Sequence, residues 1–129
     1  MPTDDTLQEG ESRTYTRTFT PEEVEQFADL SNDEGYHHLV ADEDGQVVLH
    51  GLLTATMPTK LGGDIDYLAR EMEFEFPRPA HTGVEITCEA TYESVEEHDD
   101  RTELGVSFVC ETEHGDVVLR GRSEGVVMD

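Results

Sequence analysis

Between Val84 and Tyr92 every second residue is apolar: Val84, Ile86, Cys88, Ala90 and Tyr92 alternate with Glu85, Thr87, Glu89 and Thr91, and Glu93 continues the polar row. Successive side chains of a strand point to opposite faces, so this segment reads as a strand with one face buried and one in water. Leu104, Val106, Phe108 and Cys110 repeat the pattern. His114-Gly115-Asp116 is a turn signal, after which Val117, Leu119, Gly121 and Ser123 form a further inner row, with Arg120 and Arg122 pointing outward. Leu68, Met72, Phe74 and Phe76 begin one more strand, stopped by Pro77-Arg78-Pro79, which cannot continue a central ladder. Antiparallel strands with a single apolar face constrain the fold strongly, because something apolar must cover that face.

The cover is predicted between Val47 and Met57, the most apolar run in the chain. It is apolar all round, carries Gly51 near its start and ends at Gly62-Gly63, which reads as a buried central helix. Pro58 removes one internal hydrogen bond and should kink or shorten it. Upstream, Arg13, Tyr15, Arg17 and Phe19 alternate with Ser12, Thr14, Thr16 and Thr18 as a first strand. Thr20-Pro21-Glu22-Glu23 then starts a short helix with a capping box, and Val24, Phe27, Ala28 and Ser31 mark its buried face. Residues 32–46 are polar and too long for a simple turn. The expectation is an α+β fold in which a curled antiparallel sheet wraps one apolar helix, the strand rows packing on Leu52, Leu53 and Met57. Residues 1–10, acidic and without periodicity, are expected to be a flexible tail, and residues 11–129 one domain.

Charge narrows the partners. The 31 Asp and Glu against 8 Lys and Arg give a formal net charge of −23 spread along the chain. Such a field repels phosphate, so nucleic acid and anionic membranes are excluded as partners. A salt-rich cytoplasm would screen the self-repulsion, and a single lysine, Lys60, against seven arginines fits a halophilic protein. No stretch reaches the ~18 apolar residues of a membrane span, and the N-terminus lacks the basic-then-apolar order of a signal peptide, so a soluble cytoplasmic protein is expected. Cys88 and Cys110 are far apart in sequence and flanked by strand-like residues, which suits buried thiols rather than a disulfide or metal site. There is no Walker loop or Rossmann glycine fingerprint.

The remaining motifs lie in the polar loop and the apolar run. Phe27-Ala28-Asp29-Leu30-Ser31-Asn32-Asp33 followed by His38, and then Leu49-His50-Gly51-Leu52-Leu53, resemble the signature of MaoC-like dehydratases and (R)-specific enoyl-CoA hydratases, which have the hotdog fold. The family pattern reads roughly F-A-x-L-S-G-D-x-N-P-x-H and then V-H-G-M-L. Tyr67-Leu68, Phe74-Glu75-Phe76-Pro77 and Gly83 fall where the family has its first long strand and following turn. The resemblance implies that Asp33 and His38 are the catalytic pair and that the Gly51 N–H polarises the thioester carbonyl. It places Tyr36, His50 and Leu52 as substrate contacts, His50 also orienting the loop. No cofactor is implied. Three departures stand out: Asn32 replaces the glycine before the aspartate, Gly35-Tyr36 replaces Asn-Pro, and a second histidine, His37, precedes His38. An Asn-Pro pair stiffens a loop, so these changes bear on site geometry more than on site identity.

Hydration of an enoyl thioester needs a base for the attacking water, an acid for the α-carbon and a donor to the thioester oxygen, and one aspartate, one histidine and one N–H supply all three. Asp33, His37, His38 and His50 could also be read as metal ligands, but no His-x₃-His or Cys-x₂-Cys spacing supports a metal. A hotdog thioesterase and a non-catalytic acyl-thioester binding module are the other readings. The acyl carrier is coenzyme A or an acyl carrier protein, with Lys60, Arg70, Arg78, Arg120 and Arg122 available to its phosphates. A lone sheet leaves open edges, so a homodimer is expected. Self-repulsion at a net charge of −23 predicts that the melting temperature rises from dilute buffer, where the Debye length is ~30 Å at 0.01 M, to molar sodium or potassium chloride. Thermal unfolding followed across that range checks it, and equal stability at both ends would refute it.

Overall fold

The computed structural model describes residues 7–128. Five strands form one antiparallel sheet: β1 Ser12–Thr18, β2 Tyr67–Glu75, β3 Glu85–Glu97, β4 Arg101–Thr112 and β5 Val117–Met128, in the order β1-β3-β4-β5-β2. The inner rows are those read from the alternation. Ile86, Cys88 and Ala90 of β3, Leu104, Phe108 and Cys110 of β4, and Leu119 and Ser123 of β5 are buried, while Val106 is partly buried against the core. Val84 is half-buried just outside β3. Cys88 and Cys110 face each other in register as free thiols, and contact with Cys88 together with burial pushes the Cys110 thiol well above its ordinary range.

The helical segments lie against the inner face. α1, Pro21–Ser31, has the expected capping box: Thr20 Oγ1 accepts from the Glu23 N–H at 3.2 Å, and the Thr20 N–H donates to the Glu23 carboxylate at 2.9 Å. That backbone donor, with Arg17 beside it, holds the Glu23 carboxyl below the usual carboxylate range. α2, Tyr36–Leu39, is one turn inside the stretch read as a loop. The buried helix starts later than Val47, runs past Met57 and is broken: α3 spans Gly51–Thr54 and α4 spans Thr56–Gly63.

The reason for the late start is hydrogen bonding. The Val47 N–H donates to Thr82 Oγ1 at 3.0 Å and the Leu49 N–H to the Ala80 carbonyl at 2.8 Å, while Val48 bridges His81. These residues are thus extended beside residues 80–82, and helix begins only after His50. Pro58 is the third residue of α4, within the first turn, where its missing N–H is not needed; the break falls at Ala55 instead. Leu53 and Met57 enter the core as expected, but Leu52 is 62% exposed and does not pack under the strand rows.

Two glycines allow β2 to close against β5. A Cβ at Gly121 would strike the Glu73 carbonyl and one at Gly125 the Leu68 carbonyl, so any larger residue would push the strands apart. β2 is nevertheless an edge, with Leu68 and Met72 exposed. At the other edge, the proposed tail lies partly outside the described residues, and Gly10 donates its N–H to the Tyr92 carbonyl at 2.8 Å. No helix among the described residues is long and apolar enough to cross a membrane.

Candidate active site

The chain leaves α1 through Asn32, whose φ of 62° and ψ of 19° lie in the left-handed region. Asparagine is among the few residues with a Cβ that visit this region readily, so it serves here where the resembled family has glycine. The turn carries Asp33 back toward α3, where three contacts hold it. Its N–H donates to Ser31 Oγ at 3.1 Å, its Oδ1 accepts from the Gly35 N–H at 3.3 Å, and its carbonyl accepts from His50 Nε2 at 2.8 Å. These contacts restrain the loop without an Asn-Pro pair.

His38 is buried in α2, and its Nδ1 donates to the Val48 carbonyl at 2.7 Å. A carbonyl oxygen only accepts, so in the neutral ring Nδ1 carries the proton and Nε2 is the basic nitrogen. That Nε2 lies 3.9 Å from Asp33 Oδ2. The separation is too long for a direct hydrogen bond, and both atoms are acceptors. It suits a water donating one O–H to each.

His50 is 2% exposed and its ring stacks on His38 at 3.8 Å with 14° between planes, the edge of Phe27 closing the other side at 4.9 Å. Its Nε2 carries the proton for the same reason as before, and its Nδ1 is buried without a hydrogen-bond partner. Asp33, His38 and His50 bring donor atoms within 4.8 Å of one another. Yet two nearly parallel imidazoles cannot aim their in-plane lone pairs at one ion, so the arrangement does not fit chelation.

Gly51 opens α3, and its N–H meets no acceptor among the described residues. A Cβ at this position would come within 2.8 Å of the Phe76 ring, so a larger residue would have to push that ring aside. Asp33, His38, His50, Gly51 and Leu52 all line one cleft of about 540 Å³. Tyr36 does not: its side chain is 77% exposed and lies outside the lining, because it starts α2 on the side away from His38. His37 lines the cleft as well, its exposed ring 3.9 Å from that of His38. Phe27 and Phe76 also line the wall and were missed as site residues from sequence, and Arg78, named there only among five candidate phosphate contacts, lines it too. An aromatic and an arginine around Pro77 and Pro79, held on a rigid turn, were the signal available. A separate apolar cavity of about 180 Å³ lies along α4, where the Tyr67 hydroxyl and Ser123 satisfy each other at 2.8 Å and burial raises the Tyr67 hydroxyl above its ordinary range.

No protein-family model matches the chain, and no curated protein matches it in sequence. Solved structures do match in shape. An (R)-hydratase from A. caviae involved in PHA biosynthesis superposes with a TM-score of 0.80 at 24% identity, over 96% of this chain and 98% of that one. The R-hydratase PhaJ1 from Pseudomonas aeruginosa gives 0.80 at 18% identity, over 95% and 82%. A MaoC-like dehydratase from Rhodospirillum rubrum gives 0.76 at 19% identity, over 95% and 93%. The chain has the hotdog fold.

The left-handed turn at Asn32 generates a test. Asn32→Gly should leave stability nearly unchanged, whereas Asn32→Val should lose about 1–2 kcal/mol, the usual penalty for a Cβ forced into this region. Denaturant titration reads both, and equal stability of the two variants would show that Asn32 does not set the turn.

Proposed function

We propose that the chain is a hydratase or dehydratase of enoyl thioesters, hydrating an enoyl-CoA with the (R) stereochemistry that the resemblance implies. The observation that carries this reading is the 3.9 Å gap between Asp33 Oδ2 and His38 Nε2, open to a cleft that also holds the unpartnered Gly51 N–H. A water in the gap donates to both groups and keeps a lone pair for the β-carbon. Its oxygen bonds to that carbon, one proton passes to the Asp33–His38 pair, and the pair returns a proton to the α-carbon. The sum is addition of H and OH across the double bond. Negative charge gathers meanwhile on the thioester oxygen, where the Gly51 N–H is the donor. Similarity in fold to (R)-hydratases and a MaoC-like dehydratase supports the reading. The acyl carrier is coenzyme A or a carrier protein, and the active form is a homodimer joined at the β2 edge, where Leu68 and Met72 are 63% and 41% exposed.

Asp33→Asn should lower crotonyl-CoA hydration by about 10²–10⁴-fold with little change in melting temperature; His38→Ala should lower it as much and also lower the melting temperature, because it removes a buried ring and its bond to the Val48 carbonyl. His37→Ala should stay close to wild type, and the Asp33/His38 double variant should be little worse than its worse single, because groups acting on one water are not additive. Enoyl absorbance and free thiol are followed together in molar salt. Thiol release would favour a thioesterase instead, and ligand stabilisation without turnover would favour a binding module. Light scattering should report a dimer that Leu68→Glu converts to monomer, and a monomeric wild type would remove the proposed edge contact.

A further inference from the structure

Cys88 and Cys110 are the two cysteines of the chain. Their distance in sequence suits separate thiols, but the sheet removes that distance: they stand directly opposite each other in the register of β3 and β4, both fully buried. Backbone hydrogen bonds show which kind of cross-strand pair they form. Tyr92 turns both of its backbone groups to the β1 side, its N–H donating to the Glu11 carbonyl at 2.9 Å and its carbonyl accepting from the Gly10 N–H at 2.8 Å. At the other end of the same regular stretch, the Glu85 carbonyl accepts from the Glu113 N–H at 2.9 Å, on the β4 side. Backbone groups alternate in direction along a strand, so Ile86, Cys88 and Ala90 turn toward β1 as Tyr92 does. On β4, the Thr112 N–H donates to the Asp116 carbonyl at 2.8 Å, on the β5 side, and Cys110, two residues earlier, turns the same way.

The two cysteines are therefore a non-hydrogen-bonded pair of an antiparallel ladder. In such a pair the Cα atoms are about 4.5 Å apart and the side chains are at their closest. A disulfide spans Cα separations of ~4.4–6.8 Å, so the two sulfurs can bond without a shift of the backbone. The next inner pair along the same rows, Ala90 and Phe108, lines the apolar cavity of about 180 Å³ beside α4. A small uncharged oxidant that enters this cavity comes within one residue pair of the sulfurs. Contact with Cys88 and burial keep the Cys110 thiol protonated, which leaves Cys88 as the attacking sulfur.

We propose that Cys88 and Cys110 are a peroxide-responsive pair that closes into a cross-strand disulfide. The Cys88 sulfur attacks one oxygen of a hydroperoxide, the O–O bond breaks, and the Cys88 proton leaves with the other oxygen as an alcohol or water. Cys88 is then a sulfenic acid. The Cys110 sulfur attacks it, the S–O bond breaks, and the departing hydroxide takes the Cys110 proton to form a second water. Two thiols are oxidised and one peroxide bond is reduced. Neither cysteine lines the cleft that holds Asp33 and His38, so closure staples β3 to β4 and leaves the candidate site in place.

The test treats the reduced full chain with hydrogen peroxide and measures intact mass and maleimide labelling after unfolding in denaturant. The monomer should lose the mass of two hydrogen atoms, neither sulfur should label, and dithiothreitol should restore both. The melting temperature of the oxidised form should rise by roughly 5–15 °C, since the bond constrains the unfolded chain. Cys110→Ala should stop at a sulfenic acid on Cys88 that dimedone traps, whereas Cys88→Ala should trap little. Two free thiols, a disulfide between two chains or oxidation of each sulfur on its own overturns the proposal, as does a disulfide that leaves the melting temperature unchanged or lower. Refolding from urea in a glutathione redox buffer separates pairing from access. Closure there but not with peroxide supports the pairing and overturns the peroxide route, and thiols left unpaired after refolding overturn both.

Discussion

One sheet face must be covered, and the cover is the short run of helix from Gly51 to Gly63. Leu53 and Met57 pack beneath Ile86, Cys88, Phe108 and Leu119, and that burial is the main apolar term available to a chain with such an excess of charge. The position of the helix then decides the position of the site. Its first residue is Gly51, so the free N–H of that residue opens at the mouth of the sheet, beside the segment that ties residues 47–49 to residues 80–82. Packing therefore fixes where this N–H enters the cleft before any of its polar side chains is considered.

The opposite end of the cleft, its acid–base end on the proposed reading, depends on two buried histidines that each spend one nitrogen on a backbone carbonyl. His38 donates to Val48, whose segment is itself anchored to residues 80–82, and His50 donates to Asp33. Both tautomers are thereby specified by partners that can only accept. The stack of the two rings makes the plane of His38 depend on His50, so a residue beside the glycine helps to orient the pair across the cleft. An apolar substitute for His50 would lose the Nε2 bond that holds Asp33.

The sheet was legible because a period of two with one wet face arises from little except a half-buried strand; the inner row of β3 matches it closely and that of β4 broadly, while in β5 Val118, on the expected outer row, is buried as well. The helix start was not. An apolar run buried on all sides looks alike as strand or helix, and only the partners of Val47 and Leu49, more than thirty residues away, show that the first part is extended. Asp33, His38, His50 and Gly51 were nameable from local motifs and do converge, while Tyr36, named with them as a substrate contact, turns away. Phe76 and Arg78 enter the cleft from the turn after β2; the two prolines mark a rigid turn in sequence, but not which cleft it faces. Asn32 shows a subtler limit: the change from glycine looks disruptive in sequence, but the left-handed conformation accepts asparagine at low cost.

Charge and chemistry are kept apart by the same sheet. Arg120 and Arg122 of β5 sit in register with Glu75 and Glu73 of β2 and pair with them on the outer face, across the strands that Gly121 and Gly125 draw together. Exposed pairs of this kind contribute little individually, about 0–1 kcal/mol, but they occupy cations that would otherwise be free. Among the described residues the cleft by contrast holds a single carboxylate, Asp33, facing an imidazole whose neutral tautomer leaves a lone pair directed at it. On the hydratase reading proposed above, a second acid in that wall would compete for the proton shared by the pair and repel the developing negative charge at the thioester oxygen. So acidic a chain can present such a cleft because its alternating strands send their own acidic residues, those of β3 above all, to the outer face.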